Sequence, residues 1–212
     1  MSPRPYRLGR RQEAADETRA RIITAARELL SASGGVSQFT IDAVAEQARV
    51  ARMTVYHKFG SKQGLLEALF DALAASGGMR DMPAVFERKD PLEAIDAFVA
   101  TLAHFWTVHR LVVRRVHGLA AIDPELEPAW RTRQGWRREG LTVLVRRLSK
   151  YAGRPRGKAV AEAIDVLFTL TSFPTFDVLA GDTRTPEDVV PIVQRLARGA
   201  LGADDGIRQE AN

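Results

Sequence analysis

Residues 40–66 read TIDAVAEQARVARMTVYHKFGSKQGLL, and they are the most informative part of the chain. Thr40 is placed to cap a short helix over residues 41–47, because its hydroxyl can accept a hydrogen bond from the first helical turn. A tight connection at residues 48–50 leads to a second short helix over about residues 51–58. Two short helices joined by a three-residue turn predict a helix-turn-helix.

The packing that this motif requires is present in the same residues. A small residue is needed where the second helix crosses the first, and Ala45 stands there. Apolar residues are needed on the facing sides, and Val44, Ala48, Val50 and Val55 supply them. Polar side chains remain for the outer face of the second helix, which in such motifs enters the major groove of DNA. That helix offers Arg52, Met53, Thr54, Tyr56, His57 and Lys58.

Residues 39–45 (FTIDAVA) and 55–66 (VYHKFGSKQGLL) resemble the DNA-binding domain of TetR-family transcriptional repressors. That family shows a threonine before a short helix, an Ala-Gly-Val-Ser turn, a Thr-aliphatic-Tyr recognition helix, and then Phe, a turn and Ser-Lys. Several residue types fall together at these offsets, and the resemblance covers roughly the first third of the chain.

Two residues depart from the family pattern. Arg49 stands where the family usually has glycine, and a side chain in a left-handed turn costs about 1 kcal/mol. Ala51 stands where the family often has serine, so the recognition helix is expected to lack a side-chain cap.

The resemblance implies two kinds of DNA contact. Hydroxyl and ammonium groups would donate to phosphate oxygens, and the residues in that class are Thr40, Thr54, Tyr56 and Lys62. Arg52, Met53 and His57 would face base edges, with the Arg52 fork suited to guanine and Met53 to a thymine methyl group. The alternative is that Tyr56 is a packed aromatic residue and His57 an ordinary surface histidine. The predicted DNA-binding set is Thr40, Arg52, Met53, Thr54, Tyr56, His57, Lys58 and Lys62.

The rest of the chain predicts an all-α protein. Apolar residues recur at helical spacing, and no run shows the period-two alternation of a strand. The first helix is expected to begin at Asp16 or Glu17, and Ser61 and Asp90 are placed to cap later helices. The predicted organisation is a flexible basic arm over residues 1–15, a three-helix helix-turn-helix domain with a connecting helix over 16–75, and a helical ligand-binding and dimerisation bundle over 76–212.

The larger part carries no local motif, and the resemblance implies that its last two long helices form a four-helix bundle with a second copy. Residues 158–179 predict one helix bent at Pro174, apolar over most of its circumference from Ile164 to Leu179. Such a helix needs more cover than one small domain provides, so a homodimer is expected. The alternative is a core helix of a monomer.

Aromatic residues of the larger part suggest a pocket for an apolar or aromatic small-molecule effector. The alternative for each residue is plain core packing. The Arg-rich segment from Arg131 to Arg147 predicts a solvated face, with an anion-facing wall as the alternative. The candidate pocket residues are Phe105, Trp106, His109, His117, Trp130, Phe168, Phe173 and Phe176.

Other function classes find little support. The chain has no cysteine, and no glycine-rich phosphate loop or G-x-S-x-G elbow occurs, so neither an enzyme nor a cofactor is expected. The histidines lack metal-ligand spacing, so no metal site is predicted. No apolar run is long enough to cross a membrane and no secretory signal is evident, which predicts a cytoplasmic protein without a membrane partner.

The net charge of +5 settles little by itself, but its position is informative. Residues 1–72 hold eleven Lys and Arg against eight Asp and Glu, and four of the arginines lie in the arm. These arginines are expected either as a solvated tail or at the minor groove or phosphates of DNA.

The sequence therefore predicts a homodimeric repressor that binds a palindromic double-stranded DNA operator and is released by a small molecule. Two alternatives remain: a constitutive or activating DNA binder, and a ligand-sequestering or enzymatic helical bundle.

Overall fold

The computed structural model describes residues 4–32, 39–153 and 155–202, with side chains from residue 12 onward. Every regular element in these ranges is a helix, which confirms the predicted all-α class. Two single-turn 3₁₀ helices, Met79–Asp81 and Glu187–Val189, accompany the α-helices. The α-helices are α1 (Arg4–Ser31), α2 (Ile41–Gln47), α3 (Arg52–Phe59), α4 (Lys62–Ser76), α5 (Met82–Glu87), α6 (Pro91–Val108), α7 (Arg110–Ile122), α8 (Glu127–Ala152), α9 (Lys158–Leu170), α10 (Phe173–Ala180) and α11 (Val190–Ala200).

The helix α1 begins at Arg4, well before the start that the sequence predicted at Asp16 or Glu17. Residues 6–15 contain no proline and are rich in Arg, Gln, Glu and Ala, which favour helix. These residues outweigh the single glycine, Gly9, and Pro5 lies in the first turn of the helix, which tolerates proline. The side chains of residues 1–11 lie outside the described part, so the DNA contacts suggested for the arm arginines stay a prediction.

The helix-turn-helix forms as predicted, by α2 and α3. Four of its five predicted packing residues are buried, and Val50 is half-buried. Two side chains tie α1 to α2 and the connection that follows it. Arg21 Nε donates to the Ala48 carbonyl at 3.0 Å, and Gln47 Nε2 donates to a Glu28 carboxylate oxygen at 2.9 Å. These two hydrogen bonds hold α1 against the helix-turn-helix.

The chain divides into two compact units. One comprises residues 1–73 and 115–130, and the other residues 74–114 and 131–212. The first unit therefore contains the helix-turn-helix together with the second half of α7 and the turn before α8. In this unit Arg115 donates from Nη1 to the Leu30 and Ala32 carbonyls, at and just beyond the end of α1. A cation at this end of a helix is stabilising, because the helix dipole is negative there.

Helix starts that the sequence predicted are capped by the expected side chains. Ser61 Oγ accepts from the Gly64 N–H at 3.0 Å, and Asp90 Oδ1 accepts from the Leu92 N–H at 2.8 Å. Between these starts, the turn after α4 contains Gly77 and Gly78 and leads into a 3₁₀ turn and the short helix α5, which the sequence did not predict.

The segment 158–179 forms two helices rather than the single bent helix that the sequence predicted. The axes of α9 and α10 differ by 52°, and the break lies at Thr171 and Ser172. Ser172 Oγ accepts from the Thr175 N–H at 3.4 Å and so caps the new helix. Pro174 is the second residue of α10, where a missing N–H leaves no helical hydrogen bond unmade.

No single helix among residues 4–32, 39–153 and 155–202 is long and apolar enough to span a membrane. Among the same described residues, the bent pair of α9 and α10 passes that test when its two helices are taken together, by length and composition alone.

Two acids in these helices, Asp177 and Asp165, have arginine partners, and the mostly buried Asp177 needs one because burying a lone carboxylate is costly. Asp177 in α10 accepts from Arg110 Nε at 2.7 Å and from Arg114 Nη2 at 2.6 Å. Asp165 in α9 pairs with Arg138. All these residues belong to the second unit.

Candidate functional site

Thr40 stands at the entrance to α2, where its exposed side chain caps the helix. Its Oγ1 accepts from the Ala43 N–H at 3.1 Å. A hydroxyl that accepts one hydrogen bond can still donate its own proton. Thr40 can therefore cap α2 and donate to a phosphate oxygen together.

The outer face of α3 carries the side chains predicted to enter the groove. Met53 is 60% exposed, and Arg52 and His57 are exposed as well. Thr54, Tyr56 and Lys58 are half-buried, whereas the neighbouring Val55 is completely buried. The six predicted groove residues are thus all accessible at least in part.

Arg52 is held by two neighbours within the motif. Its Nη1 lies 2.9 Å and 2.7 Å from the two carboxylate oxygens of Asp42, and its Nη2 donates to the Tyr56 hydroxyl at 3.3 Å. The hydrogen bond to Tyr56 and the charge of Asp42 raise the pKa of Arg52 above its ordinary value. The pairing of Arg52 with Asp42 was not predicted from the sequence, because it joins residues ten positions apart on different helices.

Lys62, in the first turn of α4, also has an acidic partner. Its Nζ lies 2.6 Å from Asp123 Oδ2, and the two side chains are 18% and 21% exposed. The hydrogen bond from Lys62 lowers the pKa of Asp123; burial opposes this shift, and the Glu125 backbone N–H adds to it. Sixty-one positions separate Lys62 from Asp123, so no local pattern could have revealed the pair.

Predicted DNA-binding residues from three elements converge on one surface concavity of about 320 Å³. Three of them belong to the predicted phosphate-binding class, whose fourth member, Thr54, does not line it. The predicted residues at the concavity are Thr40, Arg52, Tyr56 and Lys62, and the lining residues that the sequence analysis did not assign to DNA are Ile41, Asp42, Ser61 and Glu125.

Both departures from the family pattern have structural consequences. Arg49 has φ of 53°, so the connection does place a side chain in the left-handed region. Its N–H donates to the Glu46 carbonyl at 3.0 Å, and the Val50 N–H donates to the Ala45 carbonyl at 2.9 Å. Ala51 precedes α3 without a side-chain cap, as its methyl group requires.

The candidate pocket residues fall into two groups. In the second unit, Trp106 packs edge-on against Phe105 and Phe173, with ring centroids 5.0 Å and 5.7 Å away. In the first unit, His117 and Trp130 lie 5.3 Å apart. The second-unit group is completed by His109, Phe168 and Phe176.

Arg137 corrects the prediction that the arginines of α8 form a solvated face. It is only 8% exposed, and its guanidinium lies over the Phe168 ring at 3.9 Å. It donates to the Phe168 carbonyl, to Thr171 Oγ1 at 2.7 Å and to Gln134 Oε1 at 2.7 Å. Burial, and then the charge of Arg138, lowers the pKa of Arg137 to about 9. The carbonyls at the end of α9 explain why a cation is tolerated here.

Comparison with known proteins gives one family match. Residues 22–69 match the model of the bacterial regulatory proteins, tetR family. No curated protein matches the chain significantly.

Several solved structures share the fold over most of the chain. The fatty acid degradation regulator FadR from Bacillus halodurans is 18% identical, with 90% of this chain and 96% of that one covered and a TM-score of 0.66. The TetR-family regulator PfmR from Thermus thermophilus is 22% identical, with 83% and 96% covered and a TM-score of 0.60. A protein from Saccharomonospora viridis, described as a transcriptional regulator in complex with choline, is 16% identical, with 88% and 98% covered and a TM-score of 0.64.

At these identities the structural likeness is one of fold, and the family assignment comes from the match over the helix-turn-helix. That match covers the last part of α1, all of α2 and α3, and the first half of α4. Residues 22–69 therefore carry the DNA-binding domain of the tetR family of bacterial regulatory proteins.

Proposed function

We propose that the protein is a ligand-released repressor that binds a palindromic operator as a homodimer. Each subunit inserts α3 into a major groove, and the two half-sites lie one helical turn, roughly 34–36 Å, apart. A small molecule bound in the region 76–212 favours a state whose recognition helices no longer match this spacing. Such a shift requires only that the effector bind the two states with different affinity.

The observation that carries the DNA-binding part of the proposal is the convergence of donors at the concavity. Thr40, Tyr56 and Lys62 come from three elements, and each can donate to a phosphate oxygen. Next to them, α3 exposes Met53 and His57, which have the chemistry to contact base edges. Phosphate donors set the register of a protein on DNA, and a neighbouring helix face then reads the sequence.

Apolar side chains exposed on the last helices support the homodimer. Val178 in α10 is 80% exposed and Leu196 in α11 is 47% exposed. Exposed apolar groups on helices that already pack a core are typical of an interface with a second copy.

The aromatic groups support an effector with an apolar or aromatic body. Phe105, Trp106 and Phe173 form a mostly apolar cluster, with Thr171 and the buried Arg137 supplying polar groups nearby. Ligand sites commonly combine such an apolar lining with a few fixed polar groups. A constitutive DNA binder remains the second candidate, and a small molecule that lowers the affinity for DNA would exclude it.

The DNA contacts are tested with Tyr56→Phe and Lys62→Ala, measured as dissociation constants over a range of salt concentrations. The duplex is one that the wild-type protein protects upstream of its own gene. Both variants should bind more weakly, and Lys62→Ala should also reduce the salt slope by about one, because one phosphate contact is lost.

The matched controls are Tyr151→Phe and Lys89→Ala, which make the same changes at exposed positions outside α1–α4. They should bind like the wild-type protein, and thermal melting shows whether each variant is folded. Unchanged binding in both test variants would contradict the assigned contacts.

A further inference from the structure

The carboxylate of Asp123 is fixed on both of its oxygens. Oδ2 lies 2.6 Å from Lys62 Nζ, and Oδ1 accepts from the Glu125 N–H at 2.9 Å. The Leu126 N–H donates to the Asp123 carbonyl at 3.0 Å, which closes the turn. We call residues 123–125 the acidic turn. All of its contacts named here lie within the first unit.

The acidic turn brings two carboxylates to the concavity that the DNA-binding residues line. Asp123 is bound to Lys62, and Glu125 forms part of the lining beside Thr40 and Tyr56. A DNA phosphate on Lys62 would place a second anion on an ammonium group that already neutralises Asp123. Two anions on one ammonium group repel each other, so the phosphate and the Asp123 carboxylate compete for Lys62.

We propose that the acidic turn is an internal competitor for the DNA backbone, in which Asp123 occupies Lys62 and Glu125 repels phosphate from the concavity. DNA binding exchanges the Lys62–Asp123 pair for a Lys62–phosphate pair. The inference rests on the proposed function, because it concerns the same phosphate contacts.

The position of the acidic turn gives an effector a way to act on it. The helix α7 ends at Ile122, immediately before Asp123, and it begins at Arg110 in the second unit. Because Asp123 directly follows the last residue of α7, a change at this end of the helix changes the position of Asp123 relative to Lys62. An effector that stabilises the Lys62–Asp123 pair lowers DNA affinity at all sequences, because a phosphate contact carries no sequence information.

The test is Asp123→Asn, which removes the charge but keeps an oxygen to accept from the Glu125 N–H. Its affinity is measured on a nonspecific duplex of about 30 base pairs, since phosphate contacts dominate nonspecific binding. The variant should bind about fivefold more tightly, the upper range for an accessible ion pair. The salt slope should steepen by a fraction of one. In the wild-type protein the carboxylate that Lys62 leaves attracts cations, which partly offsets the counterion released from DNA, and the amide of the variant does not. Glu125→Gln should increase the affinity for DNA by a smaller factor, and it leaves the Lys62–Asp123 pair in place.

The control for loss of a half-buried ion pair is Asp96→Asn, which breaks the pair with Arg198 in the second unit and should leave binding unchanged. In a Lys62→Ala background, Asp123→Asn should lose its effect, because the cation for which the two anions compete is gone.

The outcomes separate this inference from the proposed function. If the wild-type protein binds DNA and Asp123→Asn binds equally or more weakly, the competitor is overturned and the proposed function stands. A gain that persists without Lys62 overturns it as well. If neither the wild-type protein nor Asp123→Asn binds any duplex at low salt, both proposals fail.

Discussion

At the scale of a single residue, Arg49 bears a conformational cost at the centre of the DNA-binding motif. Its φ of 53° lies in the left-handed region, which glycine adopts freely and other residues do not. Arg49→Gly should therefore raise the free energy of unfolding by about 0.5–1 kcal/mol, after allowance for the greater freedom of glycine in the unfolded chain. Urea denaturation measures the change.

The control is Arg49→Ala, which removes the same charge. It keeps the conformational cost of the left-handed backbone, because alanine has a Cβ atom as arginine does. It should be as stable as the wild-type protein to within about 0.5 kcal/mol, as surface substitutions usually are. Equal stability of the glycine and alanine variants would show that the turn is not strained.

Individual residues also show what the sequence can and cannot reveal about the site. The caps by Thr40, Ser61 and Asp90 were predictable, because each side chain reaches an N–H only two or three residues ahead. The partner of Lys62 was not, because Asp123 approaches it only in the folded chain. Local sequence thus predicts which polar groups a helix exposes. Long-range packing decides which residues pair with those groups in the protein without DNA.

At the scale of helices, the ion pairs of Asp177 join α10 to the start of α7. Burial raises the pKa of this carboxyl, but hydrogen bonds from Arg114 and Arg110 outweigh it, so the pKa is lowered overall. A lowered folded-state pKa means that the pair stabilises the protein above the unfolded pKa, near 3.9. This stabilisation is lost as the pH falls through the folded-state pKa.

Asp177→Asn should accordingly reduce the free energy of unfolding by about 1–3 kcal/mol at pH 7 and by less near pH 3. Urea denaturation at a series of pH values measures both. Asp165→Asn is the control, because it breaks an exposed pair with Arg138 and should cost at most about 1 kcal/mol at neutral pH. A loss for Asp177→Asn that is as large at pH 3 as at pH 7 would contradict the role of its charge.

The break between α9 and α10 shows where element prediction fails. Pro174 is incompatible with a straight helix, but one proline fits either a kink or a new helix start. The decision comes from Ser172, which caps the second helix, and from the buried Thr171, which receives a hydrogen bond from Arg137. That arginine comes from a different helix, so the sequence around the proline could not decide between a bend and a break.

At the scale of the whole molecule, the proposed function depends on two copies of a weakly basic domain. The net excess of three basic residues in residues 1–72 is small for one chain. Two copies held on one duplex double it, and the second contact becomes intramolecular, with an effective concentration far above that of the free protein. Affinity for a palindrome should therefore fall steeply if the dimer is lost, even when each DNA-binding domain is intact.

Val178→Asp tests this dependence, because it places a charge on the most exposed of the apolar side chains that we assign to the dimer interface. The variant should sediment as a monomer at micromolar concentration, since an unpaired charge in a buried interface is costly. Operator affinity should drop at least tenfold, through loss of the second contact. The matched control, Val143→Asp, changes a half-exposed valine of α8 and should leave both properties unchanged. A Val178→Asp protein that remains dimeric would exclude Val178 from the interface, and a monomer with full operator affinity would show that the dimer is not required for DNA binding.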